Sequence, residues 1–193
     1  MAYRIGYTIY FLFIISLTTC SQNKLNTSEQ KTPVFVNSEK EHKAYFASGC
    51  FWCVEAIYES IIGVNNVVSG YSGGNVPNPT YEIVNTKITG HAETIEVSYD
   101  PKIISFSILV DIYFASQEIE QINGQGPDNG PQYRSIIFYQ TVAQRDLINE
   151  KIKSLEKNKN LKVAAEVSAF QKFWVAENYH QDFKKKNPNH PYI

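Results

Sequence analysis

The fold class this sequence predicts is α+β: ferredoxin-like split βαβ units forming a two-layer sandwich, with a C-terminal extension. Three observations lead there. Apolar residues repeat with a period that switches between about 2 and about 3.6, giving the order βαββαβ followed by αβα. Hydrophobic residues make up 43% and charged ones 19%, with eleven Phe, thirteen Tyr and two Trp, which suits a packed core and not a disordered chain. A length of 193 residues holds one domain of about 100–200 residues with additions, rather than two independent cores.

The elements follow in order. Lys43 to Ser48 reads as a short strand entering Gly49 and Cys50. A helix comes next, with Val54, Ile57, Tyr58, Ile61 and Ile62 on one face and Gly63 where a helix end favours a left-handed residue. Val64 to Tyr71 is strand-like and runs into the Gly73-Gly74 turn. His91 to Tyr99 alternates as a half-buried strand, and Asp100-Pro101 ends it. Ser105 is a suitable N-cap for a helix reaching Ser116. Arg134 to Gln140 is a strand, and Thr141 with Gln144 forms a capping-box pattern ahead of a helix carrying Leu147, Ile148, Ile152 and Leu155. Val163 to Ser168 is a last short strand and Val175 to Lys185 a final helix. Two long loops remain, Ser72 to Gly90 and Gln117 to Tyr133, and long loops on a compact scaffold carry sites more often than not.

Residues 1–19 have Arg4 as their only charge, followed by the apolar run Ile9 to Leu17 and then Thr18, Thr19 and Cys20. This reads as a signal peptide of the lipoprotein type, in which Cys20 is acylated and becomes the first residue. An uncleaved anchor is the alternative, because Ile5 to Asn23 carries no charge and about twenty residues span a bilayer. Residues 20–42 are polar and without periodicity, as in a linker. The expected organisation is therefore a signal segment, a linker and a domain over 43–193, tethered to a membrane of the cell envelope or periplasmic.

Eighteen basic against nineteen acidic residues give a net charge of -1, so the chain lacks the global footprint of a nucleic-acid binder. Three cysteines are too few for a disulfide scaffold. Two of them, Cys50 and Cys53, are three positions apart, with Cys50 at the strand-to-helix junction, where backbone N–H groups and the helix dipole favour a thiolate. Cys53 lies on the same helix face and can reach the Cys50 sulfur. Half of a zinc site is one rival reading, although a structural zinc takes four ligands and His42, His91, His180 and His190 do not occur as a pair at zinc-binding spacing. A thioredoxin-like dithiol oxidoreductase is another; the bulky pair Phe51-Trp52 between the cysteines looks more like the wall of an apolar pocket.

Five ordered blocks make the pattern specific. They are GCFW at Gly49 to Trp52 followed by Glu55, GYSGG at Gly70 to Gly74, PTY at Pro79 to Tyr81, GHAE at Gly90 to Glu93, and QGPDxGxQYRS from Gln125 to Ser135. Over about Lys43 to Gln181 the chain resembles peptide methionine sulfoxide reductases of the A type. The resemblance implies reduction of the S epimer of methionine sulfoxide by a Cys50 nucleophile. Glu93 would protonate the sulfoxide oxygen, helped by Tyr81 and Tyr133, with Phe51 and Trp52 holding the methyl group and Asp128 helping to orient the site. A carboxyl in an aromatic-walled pocket should have a raised pKa, which suits a proton donor.

The resemblance further implies a sulfenic acid on Cys50. Many relatives resolve it with cysteines near the C-terminus, but this chain has none after Cys53. A Cys50–Cys53 disulfide reduced by thioredoxin or an equivalent dithiol is the expectation, and a one-cysteine cycle the alternative. No metal or other cofactor is expected. Expected partners are oxidised proteins, the reductant and the membrane, for a chain read as a monomer. Gln117 to Glu120 (QEIE) departs from a family His-Asp-Pro-Thr type segment. His91 is left between positioning and packing, and His180 is assigned to packing. General thiol-disulfide exchange and a non-catalytic peptide-binding module are the competing functions.

Overall fold

The computed structural model describes Met1 and residues 42–192. The signal segment, Cys20 and nearly all of the linker lie outside the described residues. The elements are β1 (His42–Ala47), α1 (Phe51–Glu59), β2 (Val64–Ser72), α2 (Tyr81–Asn85), β3 (Ala92–Tyr99), α3 (Phe106–Ala115), β4 (Gly124–Gln125), β5 (Asp128–Asn129), β6 (Ile136–Tyr139), α4 (Val142–Lys159), β7 (Glu166–Ala169), β8 (Trp174–Val175) and α5 (Phe183–Lys186).

The main sheet is six-stranded in the order β7-β6-β1-β3-β2-β8. Its inner four strands realise the split βαβ arrangement. β3 lies antiparallel between β1 and β2, which α1 connects, and β1 lies antiparallel between β3 and β6. The α+β prediction is thus correct. Two edge strands from the C-terminal extension are added: β7 runs parallel to β6 and β8 antiparallel to β2.

Apolar side chains of α1, α3 and α4 cover one face, where Phe46, Ile95, Val97, Leu109, Tyr113 and Ile148 form the main core. On the other face Tyr45, Ala47, Ala92, Ile136 and Phe138 are covered by Phe170 and Phe173. That cover corrects the reading of β3 as half-buried: it begins at Ala92, and Thr94 and Ser98 on its second face are as hidden as Ile95 and Val97.

Local signals held where they were local. Ser105 and Thr141 each accept a hydrogen bond from the N–H three residues on, as N-caps do. The Gln144 side chain reaches back one residue further than a capping box requires, to the Gln140 N–H at 2.7 Å. The strands drawn over Lys43–Ser48 and Arg134–Gln140 are shifted or trimmed by one or two residues.

Other expectations are corrected. α1 stops at Glu59, leaving Ile62 85% exposed rather than on the apolar face. The strand expected over Val163–Ser168 forms at Glu166–Ala169, in register with β6. The helix expected over Val175–Lys185 is mostly absent, because tertiary bonds outcompete its weak periodicity. Val175 pairs with Gly70, the Ala176 N–H donates to the Ser69 carbonyl, and the Gln181 side chain takes both backbone groups of Ser69. Only the single turn of α5 remains helical, after Asp182 at φ +53°. The two long loops are themselves structured: α2 interrupts the first, and the β4–β5 hairpin and a 3-10 turn at Pro131–Tyr133 lie in the second.

Candidate active site

The end of β1 delivers Gly49 and Cys50 to the start of α1. Gly49 has φ +73°, and a Cβ there would lie 2.5 Å from the Cβ of Gln125. Only glycine combines that backbone with that approach. The turn is tied down from several sides. Gly49 N–H donates to the Tyr133 carbonyl at 3.2 Å. Ser48 and Ser135 both donate to Gln117 Oε1, at 2.6 and 2.8 Å, and Gln125 donates to Ser135 at 3.0 Å. QEIE therefore keeps a working contact at Gln117, although its Nε2 is buried without a partner.

Cys50 is the N-cap residue of α1 and is buried, while Cys53 is half-buried; both are free thiols. Their side chains share a hydrogen bond. That bond, burial and the neighbouring Glu93 hold the Cys50 thiol well above its ordinary range, against the lowering effect of the Trp52 N–H. Cys53, on the other end of the bond, is brought down to about 7, with Lys184 helping and burial and Asp128 opposing. Cys50 and Cys53 titrate as one coupled pair, so the contact between the two sulfurs, and not the helix terminus alone, governs where the negative charge sits.

Glu93, from β3, is 2% exposed, and its Oε2 accepts the Phe51 N–H at 3.0 Å. Burial pushes its pKa up to about 8, aided by Asp128 and Cys53 and opposed by the Phe51 bond. The carboxyl is thus mostly protonated at pH 7, as the sequence led us to expect. Tyr81 and Tyr133 sit beside it. Burial raises both pKa values, with the Glu93 charge adding to the rise and each hydroxyl acting on the other.

Phe51 is buried and Trp52 half-exposed, and both rings pack on His180, at 4.8 and 5.5 Å between centroids. Trp52 Nε1 donates to His180 Nδ1 at 3.0 Å, so packing understates what His180 does. Glu177 supports the same wall, accepting the Tyr81 N–H at 2.8 Å and the Tyr71 hydroxyl at 2.9 Å. Phe183 stacks on Trp52 at 3.7 Å and 6°. The sequence assigned His180 to packing alone and gave no role to Glu177 or Phe183. His91 is settled as packing. It accepts from the Gly74 N–H and donates to the Val76 carbonyl, tying down the loop before α2.

Asp128 lines a cleft of about 710 Å³ together with Cys50, Cys53, Gln117, Gln125 and Tyr192. Its Oδ2 accepts a hydrogen bond from the Tyr192 hydroxyl. Among the described residues no three His, Cys, Asp or Glu side chains gather as a metal-holding group, and no helix is long and apolar enough to cross a membrane.

Two hydrogen-bonded thiols under a protonated buried carboxyl, on a split βαβ sheet, define a thiol-based oxidoreductase. Comparison with known proteins narrows this. The sequence profile described as peptide methionine sulfoxide reductase matches residues 42–193. The chain is 47% identical over 150 residues to the peptide methionine sulfoxide reductase MsrA of Nautilia profundicola, covering 78% of this chain and 86% of that one. It is 46% identical over 149 residues to that of Saccharolobus solfataricus, covering 77% and 84%. Among solved structures, reduced Mxr1 from Saccharomyces cerevisiae superposes with a TM-score of 0.75 at 30% identity, over 81% of this chain and 91% of that one. The methionine sulfoxide reductase A of Corynebacterium diphtheriae superposes with 0.72 at 28%, over 80% and 78%. Mxr1 has also been solved in complex with Trx2, and in that form it shares the fold with a TM-score of 0.53 at 20% identity, over 78% of this chain and 89% of that one. This chain belongs to the peptide methionine sulfoxide reductase family, and it is an enzyme that reduces methionine sulfoxide.

Proposed function

We propose that the chain reduces the S epimer of methionine sulfoxide, in proteins and as the free amino acid, with Cys50 as nucleophile. The observation that carries this reading is Glu93, a buried carboxyl with a pKa near 8 set against Cys50 and the hydroxyls of Tyr81 and Tyr133. A sulfoxide is a poor electrophile until its oxygen is protonated or strongly hydrogen-bonded, and a neutral carboxyl in a dry pocket is a suitable donor.

In the first step the Cys50 proton passes along its hydrogen bond to ionised Cys53. The Cys50 sulfur then attacks the sulfoxide sulfur while Glu93 protonates the oxygen. Oxygen moves to Cys50 as a sulfenic acid and the thioether leaves as methionine, so the sulfoxide is reduced by two electrons and Cys50 oxidised by two. Phe51 and Trp52 hold the methyl group. Cys53 next attacks the sulfenic sulfur and water departs, leaving a Cys50–Cys53 disulfide. An external dithiol of the thioredoxin kind returns both thiols, and the Trx2 complex of yeast Mxr1 supports that class of partner. Asp128 orients the cleft side of the site.

The tether belongs to the same reading. A lipid on Cys20, or an uncleaved segment over 5–23, would hold the domain at a membrane of the cell envelope, where exported proteins carrying oxidised methionine are the substrates. Chiral separation of the two epimers of a blocked methionine sulfoxide, after incubation with the protein and dithiothreitol, tests the chemistry. Loss of the S epimer alone, abolished in Cys50→Ser, is the expected result. Reduction of protein disulfides with both epimers untouched would establish general dithiol exchange instead.

A further inference from the structure

Two carboxyl side chains among the described residues are fully buried, Glu93 and Glu55. The mechanism uses Glu93 and leaves Glu55 without a task. Glu55 is 1% exposed, one turn along α1 from Trp52 and on the same face. The backbone N–H groups of Asp182 and Phe183 face it and favour its charged form, and its Oε1 has no partner. Those two N–H groups open α5, a turn that has no side-chain cap of its own. A helix start leaves its first donors unsatisfied. Here a neighbouring helix turns a carboxyl toward them.

The cost of this arrangement is informative. A half-partnered buried carboxyl is expensive, and an apolar side chain would fill the space between α1 and α5 more favourably. What an apolar side chain cannot do is hold the Asp182 and Phe183 backbone in place. Phe183 is the residue stacked flat on Trp52, at 3.7 Å. One further turn along α1, Glu59 takes Lys185 at 2.5 Å. Trp52, Glu55 and Glu59 thus meet Phe183, the α5 donors and Lys185 in parallel order. Trp52 is pinned at its indole nitrogen by His180, and Phe183 fixes its face.

We propose that Glu55 is a positioning residue: it anchors the first backbone donors of α5 and so holds Phe183 against the indole that walls the methyl pocket. This rests on the reading of Trp52 as that wall. A displaced wall weakens substrate placement while leaving the thiol chemistry intact, so the effect falls on KM rather than kcat.

The test uses the full chain carrying Trp174→Phe, which leaves Trp52 as its one tryptophan and thus as a fluorescent reporter. In Glu55→Ala the Trp52 emission should shift to the red and KM for a blocked methionine sulfoxide should rise ~5–10-fold, with kcat within about twofold. Glu55→Gln, which keeps an oxygen acceptor, should restore both. Phe183→Ala should reproduce the Glu55→Ala values, and the double variant should be no worse than either single one. Unchanged emission and KM in Glu55→Ala would overturn the proposal, as would a Glu55→Gln protein as impaired as Glu55→Ala. Should Glu55→Ala fold poorly by circular dichroism, Glu55→Asp, one methylene too short to reach α5, replaces it under the same criteria. The emission shift needs no substrate. A Trp52→Ala enzyme with unaltered KM would therefore remove the methyl-wall reading, and emission alone would then decide whether Glu55 holds Phe183 in place.

Discussion

At Glu93, catalysis and stability pull in opposite directions. Its pKa near 8 in the folded protein lies above the ordinary value near 4.5, so the folded state binds the proton more tightly than the unfolded chain. The stability this confers is complete at low pH and is lost as pH rises from about 4.5 to about 8. Glu55, pushed up to about 7 chiefly by burial, adds to the same trend. Glu93→Gln stays neutral at every pH. It should lower kcat by about 10²–10³-fold yet unfold later than wild type at pH 8, by on the order of 3 kcal/mol, with no advantage at pH 4. Thermal unfolding at the two pH values checks this, and equal shifts at both would remove the burial argument.

The two thiols add a second prediction at this scale. With Cys53 near 7 and Glu93 near 8, kcat/KM should rise through about 7 as Cys53 ionises and fall through about 8 as Glu93 loses its proton. Cys53→Ser should lose the rising limb at that position. It should still release one equivalent of methionine per enzyme, because Cys50 remains, but should not turn over with a thioredoxin-type dithiol. Full turnover in that variant would assign resolution of the sulfenic acid to the external thiol.

Among the elements, the β1–α1 junction is the least tolerant. Gly49→Ala places a methyl group 2.5 Å from Gln125 Cβ, on a backbone at φ +73°. The cost should be about 2–4 kcal/mol, because either the β4–β5 hairpin or the Cys50 turn must move. Denaturant unfolding measures the loss, and kcat should fall with it, since Gln125 and Gln117 hold the strand that presents Cys50. The sequence exposed this junction well. A strand, a glycine, a cysteine and a helix follow one another, and Ser105 and Thr141 cap their helices as local chemistry requires. It failed where distant residues decide. Nothing between Val175 and Lys185 announces that β2 will take its first residue as an edge strand, or that Glu177 will bond Tyr71 and Tyr81. The electrostatics of the thiol pair were legible in part: the Cys50–Cys53 contact is local to α1, whereas Glu93 and Asp128 arrive from β3 and β5. The residues of the ordered blocks do converge, and the site's outer wall, from His180 to Tyr192, was the part left unread.

Across the whole molecule, the last residues of the chain return to the first helix. β8 closes the β2 edge, α5 docks on α1, and Tyr192 lies edge-on to Trp52, 6.3 Å between centroids and at 86°, with its hydroxyl donating to Asp128. The site is therefore assembled only when the C-terminal extension is in place. Through Asp128, Tyr192 should also act on the thiols at a distance. Asp128 raises the Cys53 pKa through its charge, and a hydroxyl donated to that carboxylate draws its charge away from the cleft. Tyr192→Phe removes the donor and keeps the ring. The field of Asp128 at Cys53 then grows, the thiolate is disfavoured, and the rising limb of the kcat/KM profile should move to higher pH. KM should rise only ~2–3-fold, because the ring still meets Trp52. Asp128→Asn should move the same limb to lower pH, and the double variant should follow Asp128→Asn, since the hydroxyl acts through the carboxylate. A Tyr192→Phe profile that superposes on wild type would show that the tail shapes the cleft without tuning its thiols.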